Sequence, residues 1–132
     1  MGIVKYLLDT HTILWALREE GELSHKAKAV IENLNSPLFV SPVNAYEIVY
    51  KHAIGKLDGF SDIAEVYFDA IKELGVTELP ITSRHTHFAG SINWVNRDPF
   101  DRILAAQAHV EDMILITRDT KFDELDWLET LW

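Results

Sequence analysis

Apolar positions along the chain fall into short continuous runs separated by longer stretches spaced three and four apart, the order expected when strands and helices alternate. Ile3 to Leu8 reads as a buried strand, and Thr10 to Leu17 as a helix with Ile13, Leu14 and Leu17 on one face. Gly21 separates it from a helix after Ser24, whose stripe is Ala27, Val30, Ile31 and Leu34. Leu38 to Val40 predicts a second strand. Ser41 and Pro42 then supply an N-cap and a first-turn proline for a helix to about Ile54, closed by Gly55. Ser61 opens a helix through Leu74, Gly75 stops it, and Val76 to Leu79 predicts a third strand. A helix over Ser83 to Ile92 precedes the clearest one, begun by Asp98 and Pro99, with Phe100, Ile103, Leu104 and Ala108 facing a core. Met113 to Ile116 is a fourth strand, Lys121 to Leu125 one helical turn, and Trp127 to Trp132 a final edge strand. Strand-to-strand connections long enough to hold helices make the sheet mostly parallel, with helices on both faces.

No repeat, low-complexity tract or linker composition interrupts this order, so residues 1–132 are expected to form one domain. Hydrophobic content of 48% and charged content of 25% exclude disordered and fibrous classes. The N-terminal apolar run is too short for a signal-peptide core or a membrane span, which predicts a cytoplasmic protein with no membrane association. Without Cys, catalysis has to come from carboxylates, His, hydroxyls or a bound metal. The net charge of −9 argues against purely electrostatic binding of a polyanion. Such a chain neutralises its acids with divalent cations or meets a basic partner, and five acids between Asp119 and Glu129 are opposed by Lys121 alone.

In an open parallel sheet, ligands bind at the carboxyl ends of the strands near a switch in strand order. Asp9 follows the first strand and Asp119 the fourth, Glu47 lies early in the helix after the second strand, and Asp101 in the first turn of the helix feeding the fourth. Four acids gathered there would repel one another unless a hard cation, magnesium or manganese, neutralised them. A metal so held activates water and neutralises a phosphoryl group, which points to phosphodiester hydrolysis. Each acid also has a plainer reading: Asp9 as a helix cap, Asp119 as a turn residue, Glu47 as an ion pair with Lys51, and Asp101 with Asp98 as a capping arrangement. Thr10 and Thr117 flank the acids as supporting hydroxyls, and Asp98 is an N-cap candidate. Lys51, Lys56, Arg97, Arg102 and Arg118 lie near the acids in sequence, with Lys51, Arg102 and Arg118 the candidates for RNA phosphates. His85 and His87 read as surface residues, and Trp15, Trp94, Trp127 and Trp132 as core or interface anchors.

Taken together, Leu7-Leu8-Asp9-Thr10-His11 with Leu14-Trp15, Glu47 with Lys51 and Gly55-Lys56-Leu57, Arg97-Asp98-Pro99-Phe100-Asp101-Arg102 with Ala105-Ala106-Gln107-Ala108, and Thr117-Arg118-Asp119 resemble a PIN-domain protein. More closely they resemble the VapC-like toxins of type II toxin–antitoxin modules, from Leu7 to Leu131-Trp132. The resemblance implies a three-layer α/β/α fold with a mostly parallel sheet of four to five strands. It also implies a metal-dependent endoribonuclease, with tRNA or rRNA as substrate, frequent homodimerisation and a cognate antitoxin. The family acids match Asp9, Glu47, Asp101 and Asp119 as catalytic and metal-binding residues. Asn44-Ala45-Tyr46 departs from the Ser-x-Trp pattern frequent in relatives, which bears on local substrate contacts. Two alternatives stand beside this reading: a catalytically silent partner-binding module on the same fold, and a haloacid dehalogenase-type phosphatase. The phosphatase would want Asp-x-Asp after the first strand, where His11 stands instead.

Overall fold

The computed structural model describes residues 2–18 and 21–132. Its elements are β1 Lys5–Leu8, α1 Thr10–Arg18, α2 His25–Glu32, β2 Leu38–Val40, α3 Pro42–Ala53, α4 Ser61–Leu74, β3 Thr77–Glu78, α5 Ser83–Ser91, α6 Pro99–Val110, β4 Met113–Ile116 and β5 Thr130–Leu131, with a 3₁₀ turn over Thr120–Glu124. The sheet is parallel throughout, in the order β3-β2-β1-β4-β5. β1 is central, its Tyr6 beside Leu38 and its Leu8 beside Ile116. From β1 the chain first winds outward through β2 and β3, then returns to place β4 on the other flank, so the order switches between β1 and β4.

Both faces are covered, as the continuous apolar runs of β1 and β4 require. Leu7 and Leu115 point to one face, packed with Leu104, Ala105 and Ala108 of α6 and Phe88 of α5. Leu8, Val40 and Ile116 point to the other, against Ile13 of α1, Ala27 of α2 and Ile71 of α4. A third cluster joins Leu14, Ile48 and Tyr67, fastening α3 to α1 and α4. The result is a three-layer α/β/α arrangement.

Several boundaries differ from the sequence reading. β1 begins at Lys5, since Ile3 and Val4 are exposed ahead of it. α2 ends at Glu32 because Asn33 turns extended, which leaves Leu34 fully exposed rather than on the buried stripe. α4 runs from Ser61 to Leu74 as read from the sequence, although Phe60 at its capping position makes no side-chain cap bond. β3 keeps only Thr77–Glu78 and β5 only Thr130–Leu131, short edge pairings beside longer inner strands. Gly55 and Gly75 have φ of 72° and 77°, so the two predicted helix stops rest on the left-handed backbone that glycine adopts without penalty.

Candidate active site

The crevice at the switch is built from the ends of β1 and β4. The Asp9 N–H donates to the Ile116 carbonyl at 3.1 Å, continuing the sheet one residue past β1. Its carboxylate then accepts the Thr10 N–H at 2.7 Å and the Thr117 hydroxyl at 2.8 Å. The same Thr117 oxygen accepts the Asp119 N–H at 3.0 Å, so one hydroxyl ties the acid of β1 to the loop after β4. Burial pushes the Asp9 carboxyl up to about 6; the Thr117 and Thr10 bonds oppose this, and the Asp101 and Glu47 charges add to it.

Glu47 comes from α3, whose start is locked by a capping box: Ser41 Oγ accepts the Val43 N–H at 3.1 Å, and Asn44 Oδ1 accepts the Ser41 N–H at 2.7 Å. The other end of that Asn44 amide donates to Thr10 Oγ1 at 3.0 Å, and Thr10 Oγ1 donates to Glu47 Oε1 at 2.5 Å. Lys51 Nζ holds the second Glu47 oxygen at 2.8 Å, the helix-surface pair foreseen in the sequence, here on a carboxylate only 8% exposed. Asn44, noted only as a departure from a family pattern, thus couples the α3 cap to the site.

Asp98 caps α6, accepting the Phe100 N–H at 2.9 Å, with Pro99 in the first turn. Asp101 does not reach back to complete a box. Its Oδ2 accepts the Asn96 amide at 2.8 Å and lies 3.6 Å from Lys121 Nζ, which also stands 3.4 Å from Asp119. Burial raises the Asp101 pKa, Asn96 pulls it down and Asp98 pushes it up. The Lys121 pKa is raised, chiefly by Asp101. Asp119 Oδ1 receives the Lys121 N–H at 3.0 Å and starts the 3₁₀ turn, which is also the turn role foreseen for it. Neither Asn96 nor Lys121 stood out in the sequence as part of the site.

Asp9 is therefore linked to Glu47 through Thr10, and Asp101 to Asp119 through Lys121. Among the described residues, no three carboxylate or imidazole groups lie close enough to hold one metal ion as they stand. Lys51 pairs with Glu47, and Lys121 lies between Asp101 and Asp119. The donor set itself fits a hard divalent ion: carboxylates and hydroxyls alone, with burial raising the pKa of Asp9 and Asp101.

Arg102 departs from the expected phosphate contact. Its guanidinium is spent on the chain's own carbonyls, donating to Ala89, Trp94, Asn96 and Ile92. Arg118 stays exposed, 3.5 Å from Glu22 and stacked over the Trp15 ring at 5.8 Å. Beside it the His11 pKa is lowered, by partial desolvation against its neighbours and by Lys51. His85 is buried rather than on the surface, 1% exposed. Its Nδ1 accepts the Thr82 N–H at 3.0 Å and its Nε2 meets Glu111 at 2.7 Å, joining the start of α5 to the end of α6.

The PIN domain family model matches residues 6–128. No curated protein sequence matches the chain significantly. Solved structures with the same fold include VapBC2 from Rickettsia felis bound to a DNA fragment from its promoter, at TM-score 0.73 and 16% identity over 97% of this chain and 98% of that one. DNA-bound VapBC from Salmonella typhimurium gives 0.72 and 14% over 98% of both chains, and FitAcB from Neisseria gonorrhoeae 0.69 and 18% over 96% of both.

Proposed function

Because the chain belongs to the PIN domain family, we propose that it is a metal-dependent endoribonuclease and the toxin of a toxin–antitoxin pair. The observation that carries the reading is Asp9: a buried carboxyl raised to about 6, at the sheet's switch point, with Glu47, Asp101 and Asp119 as the neighbouring acids. In this reading Asp9, Glu47, Asp101 and Asp119 hold magnesium or manganese, which supplies an activated water and neutralises the scissile phosphoryl group. Thr117 aims Asp9, Thr10 and Asn44 aim Glu47, and Asn96 aims Asp101. Lys51 stands at the rim as a phosphate contact, and Arg118 lines the cleft beside Asp9 and Asp119.

Two of the similar structures described above are DNA-bound VapBC assemblies by name, and a net charge of −9 suits a basic partner segment. The cognate antitoxin is therefore expected to be basic where it meets the acidic crevice. A homodimer would cover the exposed stripe Tyr46, Val49 and Tyr50 of α3, spaced to lie on one helix face. The proposal assigns the pair to the cytoplasm, and no described helix is long and apolar enough to cross a membrane.

The deciding experiment incubates purified protein with total tRNA and rRNA in magnesium, manganese or EDTA, and maps the cut ends. Cleavage abolished by EDTA, with a melting temperature raised by millimolar metal, is the expected result. Cleavage that survives EDTA, with unchanged melting, overturns it. The rival partner-binding module draws on the lysine-neutralised acids, and it predicts antitoxin binding with no cleavage under any metal.

A further inference from the structure

A cleft of about 290 Å3 opens directly off Asp9 and Asp119, and its remaining walls are His11, Trp15 and Arg118. These three differ in kind from the acidic crest around them: an imidazole, an indole and a guanidinium, all flat. The His11 and Trp15 rings lie 5.4 Å apart, and Trp132 supports the indole from another side at 5.6 Å. Arg118 stacks over the same indole at 5.8 Å with its plane exposed to solvent. The platform is assembled before any ligand arrives, so little ordering entropy opposes stacking on it. Neither the His11 ring nor the Trp15 indole N–H has a hydrogen-bond partner among the described residues, which leaves polar edges beside the flat surface. An adjoining cleft of about 350 Å3 shares His11 and carries Lys51 and Lys56.

We propose that this cleft seats an unpaired RNA base next to the bond to be cut, stacked on the Arg118–Trp15 platform with His11 at its edge. A net charge of −9 limits how much affinity phosphate pairing at Lys51 can supply, whereas a base is neutral and stacks with any flat partner. Trp15, read from sequence as a core or interface anchor, then becomes a specificity determinant. The proposal rests on the ribonuclease reading, and its test separates the two.

Isotope-labelled protein in EDTA is titrated with AMP, GMP, CMP, UMP and ribose 5-phosphate while the Trp15 indole N–H resonance, assigned with Trp15→Phe, is followed. At least one nucleotide should move that resonance saturably, and ribose 5-phosphate should not. His11→Ala and Arg118→Gln, both at exposed positions, should each weaken the nucleotide response about tenfold. No response to any nucleotide, an equal response to ribose 5-phosphate, or unchanged binding in both variants overturns the proposal. Where RNA is cut, Trp15→Leu should raise KM and flatten the base preference beside the cut. A wild-type protein that binds bases and cuts no RNA defeats the ribonuclease reading alone, whereas one that cuts RNA and ignores nucleotides defeats only the base cleft.

Discussion

Asp101 and Arg102 are neighbours in the first turn of α6, carry opposite charges, and are treated in opposite ways by the fold. The Arg102 guanidinium spreads its donors over four main-chain carbonyls in the segment leading from α5 into α6. Its charge is met by fixed dipoles, and nothing from outside is needed. Asp101, only 9% exposed, receives one amide and shares the Lys121 ammonium with Asp119, and burial raises its pKa. A buried charge that the chain satisfies belongs to the architecture. One left short at the end of a parallel sheet is placed to receive something from solution.

The comparison breaks most visibly at Arg102. Arg102→Met strands four carbonyls and should lower stability by about 3 kcal/mol, measured by urea unfolding. Arg102→Lys should recover less than half, because one ammonium cannot span carbonyls that a guanidinium fork reaches together. Unchanged stability with weakened RNA binding would return Arg102 to the phosphate role.

Asp9 should respond with the opposite sign. Its carboxyl titrates near 6 in the folded chain against 3.8 ordinarily. Between those values the folded state holds the extra proton, so the stability of metal-free protein falls as pH rises from about 4 to about 6. Asp9→Asn removes most of that cost and should gain about 2 kcal/mol at pH 7.5 in EDTA, flattening the pH slope. The same change should abolish the rise in melting temperature that magnesium or manganese gives. Denaturant melts at several pH values, with and without metal, check both halves.

Features carried by neighbouring residues were legible in the sequence, and features made by distant ones were not. Ser24, Ser41 with Pro42, and Asp98 with Pro99 announce helix starts because a cap and its N–H partners lie within three residues. A parallel sheet follows from alternating elements, and with it the edge that Asp9 and Asp119 share, whereas the strand order that sets β1 beside β4 depends on pairings distant in sequence. By contrast Asn44 meets Thr10, and Lys121 meets Asp101, only after long loops close, and no local pattern marks either. Arg102 looked like a rim cation because sequence shows its charge and not the carbonyls folded around it. His85 misled for the same reason, its partner Glu111 lying at the far end of the next helix.

Thr10 tests whether the acids depend on neutral supports. Thr10→Val keeps the side chain's shape and leaves Glu47 Oε1 and the Asn44 amide each without a partner. A loss of 1 to 2 kcal/mol, about the cost of stranding buried polar groups, is expected in urea unfolding. Thr10→Ser should restore it. Equal behaviour of the two variants would mean that Lys51 alone holds Glu47.

The smallest effect separates two acids of one motif. Asp98 accepts the Phe100 N–H, and its side chain has no other hydrogen bond among the described residues, so its contribution is that of an N-cap. Asp98→Ala should cost ~1 kcal/mol and Asp98→Asn almost nothing, since an amide oxygen caps as well as a carboxylate. Both should keep the metal-induced rise in melting temperature. Asp101→Asn should do the reverse, leaving the fold intact in EDTA while removing cleavage and the metal response. The distinction follows from what each oxygen meets: a main-chain N–H is served by any acceptor, whereas a hard divalent ion needs the carboxylate's charge. A metal response lost in Asp98→Ala and kept in Asp101→Asn would exchange the two roles, and with them the contrast between Asp101 and Arg102.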